Sequence, residues 1–332
     1  MVFVINWLTT HSELPYMNDK YVVSHNPGGL CNRLKSLVSA QRYADRHGLE
    51  VNLYWPVGGA CGSHFKDLFS NSITELSPEQ FKDISSATEP SSAYHFLSTW
   101  SLLVFPDDQI PEGFSRQSSS GIGRDINYEY NRIPTSVRHS ILPYFQAFKP
   151  TESIQREVQA FSQRFDANTI SVHIRSWVSD DPIGQERAKL FNMNCVYKVF
   201  NRFPERNFFV ASDSPQVVAA LRQRYGQRIL SYDSPELTGE RNSMTGVQKA
   251  LIELYLLAQN STLIATWNST FSETAWWLGG AKADVLLIPL HQPWRNAEYR
   301  LMKQSNLRLA LKQSSLPLYN AIRYLKKRLI SH

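Results

Sequence analysis

The chain has 332 residues, 42% of them hydrophobic and 19% charged, with a formal net charge of +6. That is the composition of a globular protein with a substantial core, and no run approaches the roughly 18–20 apolar residues that a bilayer crossing needs. Three cysteines, Cys31, Cys61 and Cys195, stand at unrelated spacings, which supplies neither a disulfide framework nor a zinc ligand set.

In chain order, the opening residues carry no basic segment and no small-residue cleavage site, so no signal peptide is expected and a cytoplasmic location fits. Tyr21–Ser24 reads as a short buried strand, "NPGG" as a turn, and the residues from Asn32 to Gly48 as a helix. "LEVNLYW" alternates as a second strand, completing a strand-helix-strand unit. Residues 56–148 offer loops such as "SSATEPSSAYH" and little periodicity.

The second half is regular. "TISVHIRS" predicts a strand, "QERAKLFNMNCVYKVFNRFP" one helix and "NFFVASDS" a strand. "PQVVAALRQRYG" predicts a helix, "RILSYDS" a strand and "TGVQKALIELYLLAQN" a helix. "STLIATW", "FSETAWWLGG" and "ADVLLIPL" follow as strand, helix and strand. This alternation predicts parallel sheets covered on both faces, and two such units suggest two Rossmann-like domains facing a cleft. The expected division is 1–148, 149–295, and a basic helical tail over 296–332 that covers the fold or touches anionic lipid. Lys and Arg are spread along the chain without an arginine-rich run, which argues against nucleic acid; a small anionic ligand and an anionic membrane surface explain the positive excess equally well.

In open parallel sheets ligands bind beyond the carboxyl ends of the strands. Four clusters fall there: His25, Asn26, Gly28, Gly29, Asn32 and Arg33; Arg175 with Asp180 and Asp181; Ser212, Asp213 and Ser214; and "NSTFSE", with Ser269, Thr270, Phe271 and Ser272. Glycines before a helix let an anion approach backbone amides, and a guanidinium fork bonds two oxygens of a diphosphate. Three hydroxyls at one helix start exceed what capping needs. An ordinary turn, a buried ion pair for Arg175, a core histidine at His173 and helix caps at Asp213 and Ser269 are the plainer alternatives.

In this order and at about this spacing, "GGLCNRL", "VHIRSWVSDD", "FFVASDS" and "NSTFSETAWW" resemble the GDP-fucose-dependent fucosyltransferase superfamily, the clan of the α-1,2, α-1,6 and protein O-fucosyltransferases. The resemblance covers roughly residues 20–290, leaves 56–148 unmatched, and departs from the pattern at Cys31 and at Ser176, where a second basic residue is common. It implies a GT-B-like α/β fold, inverting transfer from GDP-fucose to a glycan or other hydroxyl acceptor, no metal and no further cofactor. By the same resemblance, Arg175 neutralises the leaving β-phosphate, Ser269, Thr270, Phe271 and Ser272 cradle the phosphates, and Gly29, Asn32 and Arg33 reach across the cleft. His173 and Asp213 help hold the guanosine. For the base that takes the acceptor proton, Asp180, Asp181, His25 and Glu273 are open, with Asp181 the first choice. Another nucleotide-sugar donor, or a nucleotide- or glycan-binding protein without catalysis, are the other readings.

Overall fold

The computed structural model describes residues 21–86, 94–99, 101–105, 108, 116–117, 124–126, 130, 133–176, 182–237, 239–240 and 242–292. Asp180, Asp181 and the 296–332 tail lie outside the described residues.

The first sheet grows from β1 (Tyr21–His25), α1 (Leu30–His47), β2 (Glu50–Tyr54), β3 (Thr74–Glu75), α2 (Pro78–Ser86) and β4 (Tyr94–Leu97). Its strand order is β3-β2-β1-β4, every pair parallel. Helix α1 stops at Gly48, whose φ of +64° is a left-handed cap that glycine adopts without steric cost. A small antiparallel sheet follows, β5 (Leu102–Val104), β6 (Arg116–Gln117) and β7 (Arg124–Ile126), in the order β5-β7-β6. Helices α3 (Thr135–Gln146) and α4 (Glu152–Ser162) then lead into the second parallel sheet.

That sheet contains β8 (Thr169–Ile174), α5 (Pro182–Ala188), α6 (Met193–Phe200), β9 (Asn207–Ser212), α7 (Pro215–Tyr225), β10 (Ile229–Leu230), α8 (Met244–Leu257), β11 (Thr262–Ala265), α9 (Thr270–Leu278) and β12 (Asp284–Leu287). Its order is β10-β9-β8-β11-β12, all parallel. One face packs Ile170, Val172 and Ile174 of β8 against Val196, Phe200, Val217 and Leu221 of α6 and α7. The other belongs to an apolar body that includes Leu34 and Leu37 of α1, Phe145 of α3, Leu251 of α8 and Trp276 and Trp277 of α9. The two sheets therefore share one core. Trp277 stacks on Phe145 at 5.5 Å and 6°, and Trp276 is equally buried, so both tryptophans serve packing.

The single helix expected over "QERAKLFNMNCVYKVFNRFP" is two, α5 and α6. Leu190 turns inward to join Trp267 and Leu290 in a small cluster, and Asn192 restarts the chain by accepting the Asn194 N–H at 2.8 Å. A polar N-cap outcompetes helix continuation at that point.

Candidate functional site

Three neighbouring strands of the second sheet, β9, β8 and β11, end at the same edge. Along β8 the alternation holds: Ser171 accepts from Asn260 Nδ2 at 2.9 Å and His173 meets α9, while their neighbours enter the apolar face. Beyond Ile174 the pairing of β8 gives way to side chains. The Arg175 N–H donates to Thr266 Oγ1 at 2.9 Å, and the same hydroxyl donates to the His173 carbonyl at 2.9 Å. Thr266 therefore fastens the end of β8 to the end of β11.

His173 is buried, with Nδ1 2.7 Å from Ser272 Oγ and 3.5 Å from Ser269 Oγ, and its ring lies 4.7 Å from Phe271 in a stacked arrangement. Burial, and then the Arg175 cation, lower its pKa to about 3, so the imidazole is neutral at physiological pH. It holds the start of α9 as a hydrogen-bonding group, without a charge to offer a phosphate. Ser272, expected in the cradle, is fully buried behind His173, so its hydroxyl faces the sheet.

Ser269 is the residue before α9, and its hydroxyl does not cap the helix. Among the described residues, the amides of Thr270, Phe271 and Ser272 have no hydrogen-bond partner. Asn268, at φ +57°, makes the turn that sets this helix start beyond β11. An uncapped first turn carries the positive end of the helix dipole together with free N–H donors.

Arg175 and Asp213 meet at the β8 and β9 ends, with Arg175 Nε 3.4 Å from Asp213 Oδ2. Asp213 Oδ1 accepts from the Ser176 N–H at 2.8 Å and from the Ser176 hydroxyl at 2.9 Å. Asp213 does not cap α7; Ser214 does, accepting from the Val217 N–H.

The glycine turn is built differently from expectation. Asn26 is buried, donates to the Thr99 carbonyl and accepts the Gly28 N–H at 2.7 Å. Arg33 donates from Nε to the Gly28 carbonyl and from Nη1 to the Pro56 carbonyl, both at 2.7 Å, and lies 5.1 Å above the Trp55 ring. Its guanidinium braces the turn from inside and does not reach across a cleft. A Cβ on Gly29 would stand 3.3 Å from the Ala60 carbonyl oxygen, so packing is one reason for glycine there. Asn32 is half-buried, and its side chain has no hydrogen bond among the described residues. Burial pushes the Cys31 thiol up to about 12, which makes it an inert core group.

Two of the four base candidates are described in other roles or places. Glu273 is buried in a 2.7 Å ion pair with Lys35 of α1, out of reach of any acceptor. His25, at the end of β1, packs 5.1 Å from the Phe81 ring, and burial lowers its pKa. The partners that sequence reading missed are Ser176 as a donor to Asp213, Thr266 and Lys35. Among the described residues no group of three His, Cys, Asp or Glu could hold a metal ion, and no helix is long and apolar enough to cross a membrane.

No protein-family model matches the sequence, and no curated protein matches it. Several solved structures are similar in fold. Arabidopsis thaliana FUT1, as a mutant in complex with GDP, is 17% identical, with 82% of this chain and 71% of that one covered and a TM-score of 0.51. Fucosyltransferase NodZ from Bradyrhizobium is 18% identical over 77% of this chain and 92% of that one, with a TM-score of 0.47. POFUT1 in complex with GDP-fucose is 11% identical over 81% and 98%, with a TM-score of 0.44. The expected fold class holds: the chain is α/β and GT-B-like, with two parallel sheets.

Proposed function

We propose that this chain is an inverting glycosyltransferase that moves a sugar from a nucleoside diphosphate, GDP-fucose foremost, to a hydroxyl of a glycan-type acceptor. The observation that carries this reading is Ser269, a helix-start serine whose hydroxyl serves His173 and so leaves the first-turn amides of α9 open. Open amides at a helix N-terminus attract an anion, and a third-exposed guanidinium at the neighbouring strand end supplies the positive charge to match. The fold shared with a GDP-bound fucosyltransferase supports the same ligand class.

The chemistry follows from where charge develops. As the bond to the leaving diphosphate stretches, its oxygens gain negative charge and the sugar becomes oxocarbenium-like. Arg175 and the α9 amides interact more strongly with that charge in the transition state than in the ground state, which lowers the barrier. His173, neutral and buried, keeps α9 against β8, so the amides are fixed before the donor arrives. The acceptor hydroxyl attacks from the opposite face and gives its proton to a base, for which Asp181 remains the choice. With Arg175 and the amides meeting the leaving charge, chelator treatment is expected to leave turnover intact.

Binding of GDP at a hundred times its Kd stabilises the folded protein by about 2.7 kcal/mol, an ample thermal shift. The expected order is GDP above UDP and ADP. Arg175→Ala is expected to lower GDP-fucose turnover by roughly 100- to 1000-fold, as for other donors aimed at developing charge. No GDP-dependent shift in the intact protein, or wild-type turnover in Arg175→Ala, overturns the reading.

A further inference from the structure

We propose that Asp213 is a positioning residue for Arg175, locked in place by Ser176, and that it does not read the nucleobase. The proposal rests on the nucleotide-sugar reading above and assigns a residue within that site.

A carboxylate that recognises guanine turns both oxygens outward, one to each of two adjacent donors on the base. Asp213 has no such edge to offer. Its Oδ1 takes two hydrogen bonds from Ser176, one from the backbone N–H and one from the hydroxyl, at 2.8 and 2.9 Å. Two donors fill the two lone pairs of one oxygen. The second oxygen, Oδ2, is buried, lies 3.4 Å from Arg175 Nε and makes no hydrogen bond among the described residues. The carboxylate is thus turned into the β8 end, 16% exposed, while Arg175 is 34% exposed.

The consequence falls on the guanidinium. Attraction at Nε orients the planar group and leaves the paired Nη edge, which has no hydrogen bond among the described residues, for two oxygens of a diphosphate. The backbone of Arg175 is fixed separately by Thr266. Ser176 completes the device because it brings two short donors to one oxygen, which a long basic side chain at that position does not do in the same way.

The two roles give opposite ligand profiles. Calorimetry with GDP, UDP and ADP on the intact protein and on Asp213→Asn measures the difference. A positioning role weakens all three diphosphates by the same factor, on the order of tenfold, because what is lost is one charge-assisted contact to the arginine. The preference for GDP over ADP is unchanged, and kcat for GDP-fucose falls more than KM rises. A base-reading role collapses the GDP-to-ADP preference and spares UDP, and that profile overturns the proposal. Ser176→Ala, which keeps the carboxylate and removes one of its two donors, is the second variant if Asp213→Asn does not fold. It is expected to shift all three diphosphates together by a smaller factor, and wild-type kcat and affinities in it refute the lock. Failure of the wild-type protein to bind any of the three removes the parent reading and this one with it, a result distinct from altered selectivity.

Discussion

The deepest test of the fold is the ion pair between Lys35 and Glu273, which joins the first α1 turns to α9 across 238 positions of sequence. Its atoms are 2.7 Å apart and the side chains are 0% and 2% exposed, so neither charge keeps its water. Glu273 Oε1 has no hydrogen bond among the described residues, so the pair is incompletely compensated from the outset. Lys35→Met leaves a buried carboxylate alone, which costs about 3–5 kcal/mol, whereas replacing both charges by apolar groups is neutral or stabilising by about 1–4 kcal/mol. For a chain of this size such a single-site loss lowers the melting temperature by about 4–7 °C. Urea unfolding followed by tryptophan fluorescence reads it, since Trp276 and Trp277 lie in the same helix. The expected pattern is a large loss in Lys35→Met and in Glu273→Leu, and a small change or a gain in the double variant. Single variants with wild-type stability, or a double variant equal to the sum of the two losses, refute the reasoning.

Three further outcomes are expected. His173 refuses a proton until about pH 3, whereas the unfolded chain takes one near 6.5, so acid between these values favours unfolding by about 1.4 kcal/mol per pH unit. His173→Gln removes that share of the acid slope in unfolding titrations. Glu253 is the converse: burial, with Asp233 adding to it and Lys249 opposing, raises its carboxyl to about 8. Its stability contribution is full below pH 4.5 and is lost as pH rises to 8, so Glu253→Gln stabilises the protein at pH 8.5 and leaves it unchanged at pH 4. Gly62 lies so close to the loop before α8 that a Cβ would stand 2.1 Å from the Asn242 carbonyl carbon and oxygen. Backbone cannot rotate away, so Gly62→Ala costs about 1–3 kcal/mol or more, while Gly58→Ala, with open space around it, is neutral in the same thermal assay.

Much of the second sheet was legible because its strands are buried on both faces and read as apolar runs between helical periods. "TISVHI" and "NFFVAS" are β8 and β9 with bounds close to those expected. The rule that ligands gather at carboxyl edges puts Arg175 and Asp213 on one edge of the sheet, and there they meet. Residues 56–148 resisted because their strands are two to four residues long, too short for a period to show. The break at Leu190 was hidden because its cause, packing on Trp267 and Leu290, is remote in sequence. Helix α1 hides its packing in another way. Amphipathic reading assigns Lys35, Ser39 and Arg42 to solvent, yet all three are buried, with Arg42 held by Asp108 and the Leu103 carbonyl. A helix mostly buried from Leu30 to Ala44 and exposed only in its last turn has little wet face to give the pattern its contrast. Arg33 was assigned to the ligand for the same reason, since nothing in "GGLCNRL" reveals the Gly28 and Pro56 carbonyls that occupy it.

The common apolar body has a consequence for recombination. Phe145 lies face to face with Trp277, and Tyr130 meets Trp276 edge-on, so each sheet finishes the interior of the other. Chimaeras that exchange one sheet for that of another protein with this fold break those ring pairs at the seam. A productive swap carries α1, α3 and α9 together as one cassette and leaves the outer helices to the host.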